Sequence, residues 1–177
     1  EAAVLQMREH EVAEVTADLY LCDEIFGLQP GDVEQVAFRL EVQQYVPGDW
    51  ERAASDEDKL QALAARKEEA VKLVKMGRWR LAAFHFRDIY ELLGYIDDFR
   101  GLRSTSTRLQ RVKDLKESCL LNRALCLIKV KNFKAAVHAC DLVLDGESQE
   151  SRSHKAWLRR AQANLGLDDC MAALKDC

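Results

Sequence analysis

Thiols and imidazoles are the side chains of this 177-residue chain best suited to catalysis or metal binding. The cysteines form no Cys-x-x-Cys pair and no cysteine–histidine spacing typical of zinc; they are Cys22, Cys119, Cys126, Cys140, Cys170 and Cys177. The histidines are isolated from one another; they are His10, His85, His138 and His154. The chain also has no phosphate-binding loop and no nucleophile with a spaced base. The sequence therefore predicts no catalytic residues, no metal and no cofactor. It favours small buried thiols in a reducing cytosol over metal ligands or disulfides.

Charge is divided unevenly along the chain. Residues 1–58 carry 15 acidic and 3 basic side chains, a net charge of −12. Residues 59–177 carry 15 acidic and 23 basic side chains, a net charge of +8. The positive region suits an acidic partner. Nucleic acid is the weaker alternative, because the basic residues are spread among acidic ones. No apolar run approaches about 20 residues, so we expect no membrane partner.

Four sets of residues recur at the same two offsets, 54 and 37, which indicates three copies of one structural unit. The sets are Ala70, Ala124 and Ala161; Trp79, Phe133 and Cys170; Ala82, Ala136 and Ala173; and Phe86, Cys140 and Cys177. The offsets correspond to a period of about 34 residues with additional residues in loops, and this period is typical of the tetratricopeptide (TPR) repeat. Each such repeat is a pair of antiparallel helices, and neighbouring repeats form a concave surface. We therefore expect a binding scaffold rather than a catalyst.

The hydrophobic pattern changes near residue 59. Val12 to Leu21 and Val36 to Val46 favour strands, and the segment Gln29 to Asp32 favours a turn between them. Residues 47–58 form a polar, acidic linker. From Lys59 onward the apolar residues keep a helical spacing. We therefore expect a mainly α fold, in which three helix pairs, the last one truncated, follow a β-rich segment.

A long basic insertion separates the first two helix pairs. We expect a loop at about 94–108, with the first pair ending near Leu93, a second pair at 109–130 and 133–144, and a third beginning near Ser153. The stretch Arg100 to Lys113 is basic and uninterrupted by acidic residues. A solvated loop is the simpler interpretation, and a regulated or partner-contacting loop is the alternative. The chain begins at Glu1 without a methionine and stops within the third pair, so we expect it to be part of a longer protein.

Three segments resemble the large FKBP-type immunophilins. VAFRLEVQQY resembles the last strand of their prolyl isomerase domain, and EAAVLQMREHEVAEVTADLY resembles its short helix and following strand. DWERAASDEDKLQALAARKEEAVKLVKMGRW resembles their linker and first TPR repeat. The resemblance implies that residues 1–46 are the C-terminal part of an FKBP-like domain. It also implies that residues 59–177 are a TPR domain.

The resemblance further implies a function for the concave surface. Many members of the family hold the acidic C-terminal tail of heat-shock chaperones with a Lys, two Asn, a Lys and an Arg. Four of these five positions match: Lys67, Asn122, Lys155 and Arg159. The remaining Asn position is occupied by Val71, which has no amide. The resemblance thus implies a cytoplasmic co-chaperone-like adaptor. A groove for another acidic or terminal peptide is an alternative.

A peptidyl-prolyl isomerase whose TPR domain binds a different protein is another alternative. The FKBP fold favours the twisted prolyl bond in an apolar, aromatic-lined pocket. By the resemblance, Phe26 occupies the position of a pocket Tyr, and Phe38 matches a pocket aromatic residue. The loop between Gly27 and Phe38 is shorter than in active members, and the first half of the fold would precede Glu1. The resemblance therefore implies a degenerate pocket.

Overall fold

The computed structural model describes residues 12–18, 35–41, 53, 55–98, 106–145 and 150–176. The described elements are β1 (Val12–Asp18), β2 (Gln35–Glu41), α1 (Asp56–Lys75), α2 (Trp79–Asp98), α3 (Ser106–Lys129), α4 (Phe133–Leu144), α5 (Glu150–Gly166) and α6 (Cys170–Lys175). The expectation of a mainly α protein with a small β-rich part is confirmed. The chain divides into two compact units, Glu1–Arg52 and Ala53–Cys177.

The first unit contains an antiparallel pair of strands. In this pair Val15 lies opposite Phe38, and Ala13 lies opposite Leu40. These four side chains are half-buried and alternate with exposed ones, which is the period of two that a strand with one covered face shows. Both strands overlap the expected strand segments. The turn expected at Gln29 to Asp32 lies outside the described residues.

Helices α1 and α2 form an antiparallel hairpin. A capping box begins α1, in which the Ser55 hydroxyl accepts from the Asp58 N–H and the Asp58 carboxylate accepts from the Ser55 N–H. Gly77, in the turn between the helices, has a φ of 78°, a left-handed conformation that favours glycine. An ion pair of 2.5 Å joins Arg66 to Asp88. Each of the two lies nine residues from the turn-side end of its helix, so the helices run in opposite directions.

The other two hairpins, α3–α4 and α5–α6, have the same kind of turn. Lys131 and Asp168 take the left-handed conformation of Gly77, with φ values of 60° and 61°. The next residue in each turn, Asn132 or Asp169, caps the following helix by accepting a hydrogen bond from a backbone N–H in its first turn. These turn residues follow the offsets of 54 and 37 found in the sequence.

The first helices of the three hairpins run parallel and side by side, with α3 in the middle. Asp56 is near the start of α1 and Arg108 is near the start of α3. The Oδ2 atom of Asp56 lies 2.6 Å from Nη2 of Arg108. Toward the other end of α3, the Leu121 carbonyl accepts a hydrogen bond from Arg159 on α5. Leu121 and Arg159 lie eight and seven residues before the ends of their helices. Because of this parallel arrangement, α1, α3 and α5 each contribute one face to a shared surface.

Small residues are buried at equivalent points of the three hairpins. Ala70, Ala124 and Ala161 are 1%, 0% and 4% exposed, so all three are buried. A second set of alanines at the same offsets is also buried: Ala82, Ala136 and Ala173. The second helices of the hairpins begin at Trp79, Phe133 and Cys170. Each of these three sets therefore marks one position of the repeated hairpin, and the fourth set includes Cys177, which lies outside the described residues.

The connection between the first two hairpins is shorter than the expected loop at 94–108. Helix α2 continues to Asp98 and α3 begins at Ser106, so both ends of that segment are helical. Two basic residues of the expected insertion, Arg108 and Arg111, belong to α3 and form ion pairs with carboxylates at the start of α1. The other boundaries shift by a few residues: α1 begins inside the expected linker and α5 begins at Glu150.

Candidate functional site

A cleft of about 330 Å³ lies between α1 and α3. We call it the α1–α3 cleft; it is lined by Leu60, Ala64 and Lys67 of α1 and by Arg111, Asp114, Leu115 and Ser118 of α3. On α1 these residues are three, four or seven positions apart; on α3, Asp114 and Leu115 are adjacent, and each lies three or four positions from Arg111 and Ser118, so each set shares a face. One turn further along, this face carries Val71 on α1 and Asn122 on α3. The cleft and these two residues are the α1 and α3 parts of the expected groove.

Lys67 lies in this cleft with 22% of its side chain exposed. Its Nζ atom is 3.2 Å from a carboxylate oxygen of Glu68, whose side chain is 66% exposed. Burial raises the pKa of the nearby Cys119 thiol to about 12, and the positive charge of Lys67 acts in the opposite direction. The Lys67 ammonium group is therefore close to α3, and it already faces a carboxylate.

The charged side chains of the α1–α3 cleft have partners of their own. Arg111 pairs with Glu57, and Asp114 accepts a hydrogen bond of 3.0 Å from Gln110. Lys67 and Arg111 therefore each face a carboxylate that lies outside the cleft lining.

Asn122 and Val71 differ in what they offer to a ligand. Both side chains are half-buried. The Asn122 amide has no hydrogen-bond partner within the described ranges, so its N–H and C=O groups are available to a ligand. Val71 has no such group. The side chain one turn after Lys67 on α1 therefore offers no hydrogen-bond donor.

Lys155 and Arg159 lie one turn apart on α5. The Arg159 guanidinium is partly buried against α3, where Nη1 donates to the carbonyl of Leu121. Burial lowers the pKa of Arg159, and the neighbouring Cys140 and Cys126 act in the opposite direction. Lys155 is exposed. No acidic residue lies three or four positions from either residue on α5, so neither has an acidic partner on its own helix.

The structure thus distributes the four predicted groove residues over three neighbouring helices. Lys67 lies on α1, Asn122 on α3, and Lys155 and Arg159 on α5. Arg159 contacts the carbonyl of the residue that precedes Asn122, so α3 and α5 are directly joined at this point. The predicted isomerase-pocket residues belong to the other unit. Phe38 is half-buried on β2, and Phe26 lies outside the described residues.

The hydrogen-bond network around Arg160 has no counterpart among the residues predicted from the sequence. Its Nε and Nη2 atoms donate to the Asp176 carboxylate at 2.9 and 2.6 Å, and Nη1 donates to Asp141 at 2.6 Å. These carboxylates, with Asp176 the stronger, raise the pKa of Arg160. The guanidinium also lies 4.5 Å from the centre of the Trp157 ring. Arg160 therefore joins α4, α5 and α6, beside the proposed ligand contact Arg159.

A second cleft of about 550 Å³ lies beside α5 and α6. Its lining comprises His154, Trp157, Leu158, Lys175 and Asp176. Leu158 is 59% exposed, whereas Leu121, 37 positions earlier, is 6% exposed because α5 covers it.

Within the described ranges, no cluster of His, Cys, Asp and Glu could hold a metal ion. The helices described there include none with the length and apolar character needed to cross a bilayer.

No family model matches the chain, but several curated proteins are similar to it. The mouse protein named peptidyl-prolyl cis-trans isomerase FKBP4 is 27% identical over 153 residues, covering 86% of this chain and 31% of the relative. The rat protein of that name is 29% identical over 127 residues, which cover 72% of this chain and 26% of the relative. FK506-binding protein 5 of Rhizopus delemar is 27% identical over 176 residues, which cover 98% of this chain and 43% of the relative. These relatives are FKBP-type immunophilins. The chain spans less than half of their length, and its similarity to them is consistent with a diverged FKBP-type protein.

Proposed function

We propose that the helical unit is a co-chaperone-like adaptor. It binds an acidic C-terminal peptide of a heat-shock chaperone along α1, α3 and α5. The observation that carries this proposal is the pair Lys155 and Arg159, which has no acidic residue one turn away on α5, and of which Arg159 donates to the carbonyl of the residue before Asn122. A cytoplasmic location follows from this partner.

The proposal includes a domain assignment. Residues 59–177 form a TPR domain, and three hairpins with equivalent turns at the offsets 54 and 37 support this assignment. Residues 1–46 are the C-terminal part of an FKBP-like domain, which the antiparallel strands and the names of the relatives support.

Carboxylate recognition at α5 follows from the chemistry of these side chains. A guanidinium has five N–H donors, and Arg159 uses one of them on the Leu121 carbonyl. The remaining donors and the Lys155 ammonium can bind a peptide carboxylate through charge-assisted hydrogen bonds. Because Arg159 is held against α3, less conformational entropy is lost when a ligand binds. The Asn122 amide can donate to the same peptide.

The proposal is tested by reversing the charge at α5. We expect Lys155→Glu combined with Arg159→Glu to weaken binding of an acidic chaperone-tail peptide by at least about a hundredfold, because two charge-assisted contacts become repulsive. Calorimetric titration measures the affinity, and circular dichroism verifies folding. The control is Lys131→Glu combined with Lys134→Glu, the same charge change at exposed positions near the start of α4. Equal affinities of the two double variants would refute the proposal.

Prolyl isomerase activity is the second candidate, because curated relatives carry that name. Phe38 is the aromatic residue of the described strands that could line such a pocket. The test is a prolyl isomerisation assay on the chain and on Phe38→Ala. Activity that depends on Phe38 would favour the enzyme, with the helical unit binding a different protein partner.

A further inference from the structure

The turns of the first two hairpins carry basic side chains and no acidic ones. Residues 70–87 and 118–140, which contain these turns and the helix ends on either side, include no Asp or Glu. Lys75 and Arg78 flank the first turn, and Lys131 and Lys134 flank the second. In the part of the chain that the structure describes, none of these four side chains forms an ion pair. Their positive charge is therefore not neutralised within the helical unit.

The two turns lie next to each other. The Nζ atom of Lys129, the last residue of α3, is 5.8 Å from the centre of the Trp79 ring, and Trp79 is the first residue of α2. The third turn differs in charge, because it holds Asp168 and Asp169 and no cation. The four basic residues thus form one patch, which we call the basic edge. It lies about 12 Å along α1 from the proposed groove residue Lys67.

Helix stability explains only part of this charge. A cation such as Lys75 near the end of α1 interacts favourably with the partial negative charge of the last carbonyls. Lys134 lies in the first turn of α4, where the partial charge is positive and an acidic residue would be favoured. Neither α2 nor α4 has an acidic residue in its first turn. The backbone at the starts of these helices therefore adds to the positive potential of the basic edge.

An exposed apolar side chain projects from the same edge. Met76 lies between Lys75 and Arg78 and is 60% exposed. At the surface of a bilayer, an apolar side chain can enter the boundary between headgroups and acyl chains while neighbouring cations contact the anionic headgroups. A nucleic acid backbone would satisfy the cations but would leave Met76 in water. The combination of Met76 with the four cations therefore favours a lipid surface.

We infer that the basic edge is a docking surface for a bilayer that contains anionic lipids. Lys75, Arg78, Lys131 and Lys134 contact the headgroups, and Met76 enters the interface. The expectation of no membrane partner was based on the lack of a spanning segment, which a surface contact does not need. This inference goes beyond the proposed peptide groove and does not depend on it.

The first test is sedimentation of the chain with lipid vesicles. We expect binding to vesicles of phosphatidylcholine mixed with phosphatidylserine, little binding to phosphatidylcholine alone, and release by added salt. Lys75→Glu combined with Arg78→Glu should weaken binding at least about tenfold. The control is Lys59→Glu combined with Lys175→Glu, the same charge change away from the turns, and its binding should not change.

Two results would overturn the inference in this test. One is equal sedimentation with neutral and anionic vesicles. The other is binding of a single-stranded RNA by a chain that binds neither kind of vesicle, because the basic edge would then recognise nucleic acid phosphates. Both results would leave the proposed peptide groove untouched.

The second test separates insertion from charge attraction. Met76→Ser removes the apolar side chain and keeps every charge, so it should weaken binding to the anionic vesicles about fivefold. Its matched control is Met171→Ser, because Met171 is 70% exposed but lies beside the acidic third turn. That variant should bind like the unmodified chain. Equal affinities of the two methionine variants would overturn the inference.

Discussion

The ring of Phe133 lies directly over Gly166. A Cβ atom built on Gly166 would lie 2.5 Å from the Cε1 and Cζ atoms of that ring. Phe133 is the first residue of α4 and Gly166 is the last residue of α5. This contact therefore joins the second hairpin to the third, and only a glycine leaves room for it.

Gly166→Ala should destabilise the helical unit. The added methyl group forces the Phe133 ring to move, and overpacking of this kind costs about 1–3 kcal/mol. The matched control is Gly94→Ala within α2, where an added Cβ meets no atom within 4 Å. That variant should be stabilised by about 0.5–1 kcal/mol. Urea denaturation measures both changes, and equal stabilisation of the two variants would contradict the packing interpretation.

Arg160→Leu should destabilise the third hairpin more strongly. The Asp176 side chain is 2% exposed and its carboxylate accepts two hydrogen bonds from Arg160. Removing one partner of a buried ion pair costs about 3–5 kcal/mol, because the other charge remains buried. Lys72→Met is the control, since Lys72 and Glu69 are 63% and 69% exposed. Its effect should stay below about 1 kcal/mol. Similar denaturation midpoints for the two variants would refute this role of Arg160.

The buried thiols should make stability depend on alkaline pH. Burial raises the pKa of Cys119 and of Cys140 from an ordinary value of 9.0 to about 12. In the unfolded chain these thiols ionise near the ordinary value, so the stabilising contribution is complete below pH 9.0 and is lost as the pH rises toward about 12. We expect Cys119→Ala with Cys140→Ala to reduce the decline of unfolding free energy over that interval. An unchanged slope would contradict the assignment.

Val71→Asn should raise the affinity of the proposed groove for a peptide with a free terminal carboxylate. The amide supplies a donor beside Lys67, so a peptide with a free terminal carboxylate should bind about tenfold more tightly, which corresponds to one charge-assisted hydrogen bond. The amidated form of the same peptide is the control, and its affinity should not change. Calorimetric titration measures both affinities. An equal gain for the two forms would show that the new amide contacts some other part of the peptide.

The repeated hairpins could be anticipated from the sequence because close helix crossings require small residues. That requirement places Ala70, Ala124 and Ala161 at fixed offsets. The left-handed turn positions are also equivalent in structure, but they hold Gly77, Lys131 and Asp168, so residue identity did not indicate them.

Other features depend on tertiary packing and left no sequence signal. The partners of Arg160 lie 16 and 19 positions away on other helices. We expected the first helix pair to end near Leu93, yet α2 continues through Gly94 to Asp98. A single glycine within a helix costs only about 1 kcal/mol, which packing readily offsets.

The parallel arrangement of α1, α3 and α5 has a consequence for how this protein diverges from its relatives. Each of these helices brings its own side chains to the groove and is anchored by its own hairpin partner. In the proposed groove, a change at Val71 on α1 would therefore alter the surface of one helix and leave Lys155 and Arg159 on α5 in place. Under the proposed function, partner preference would then change one helix at a time.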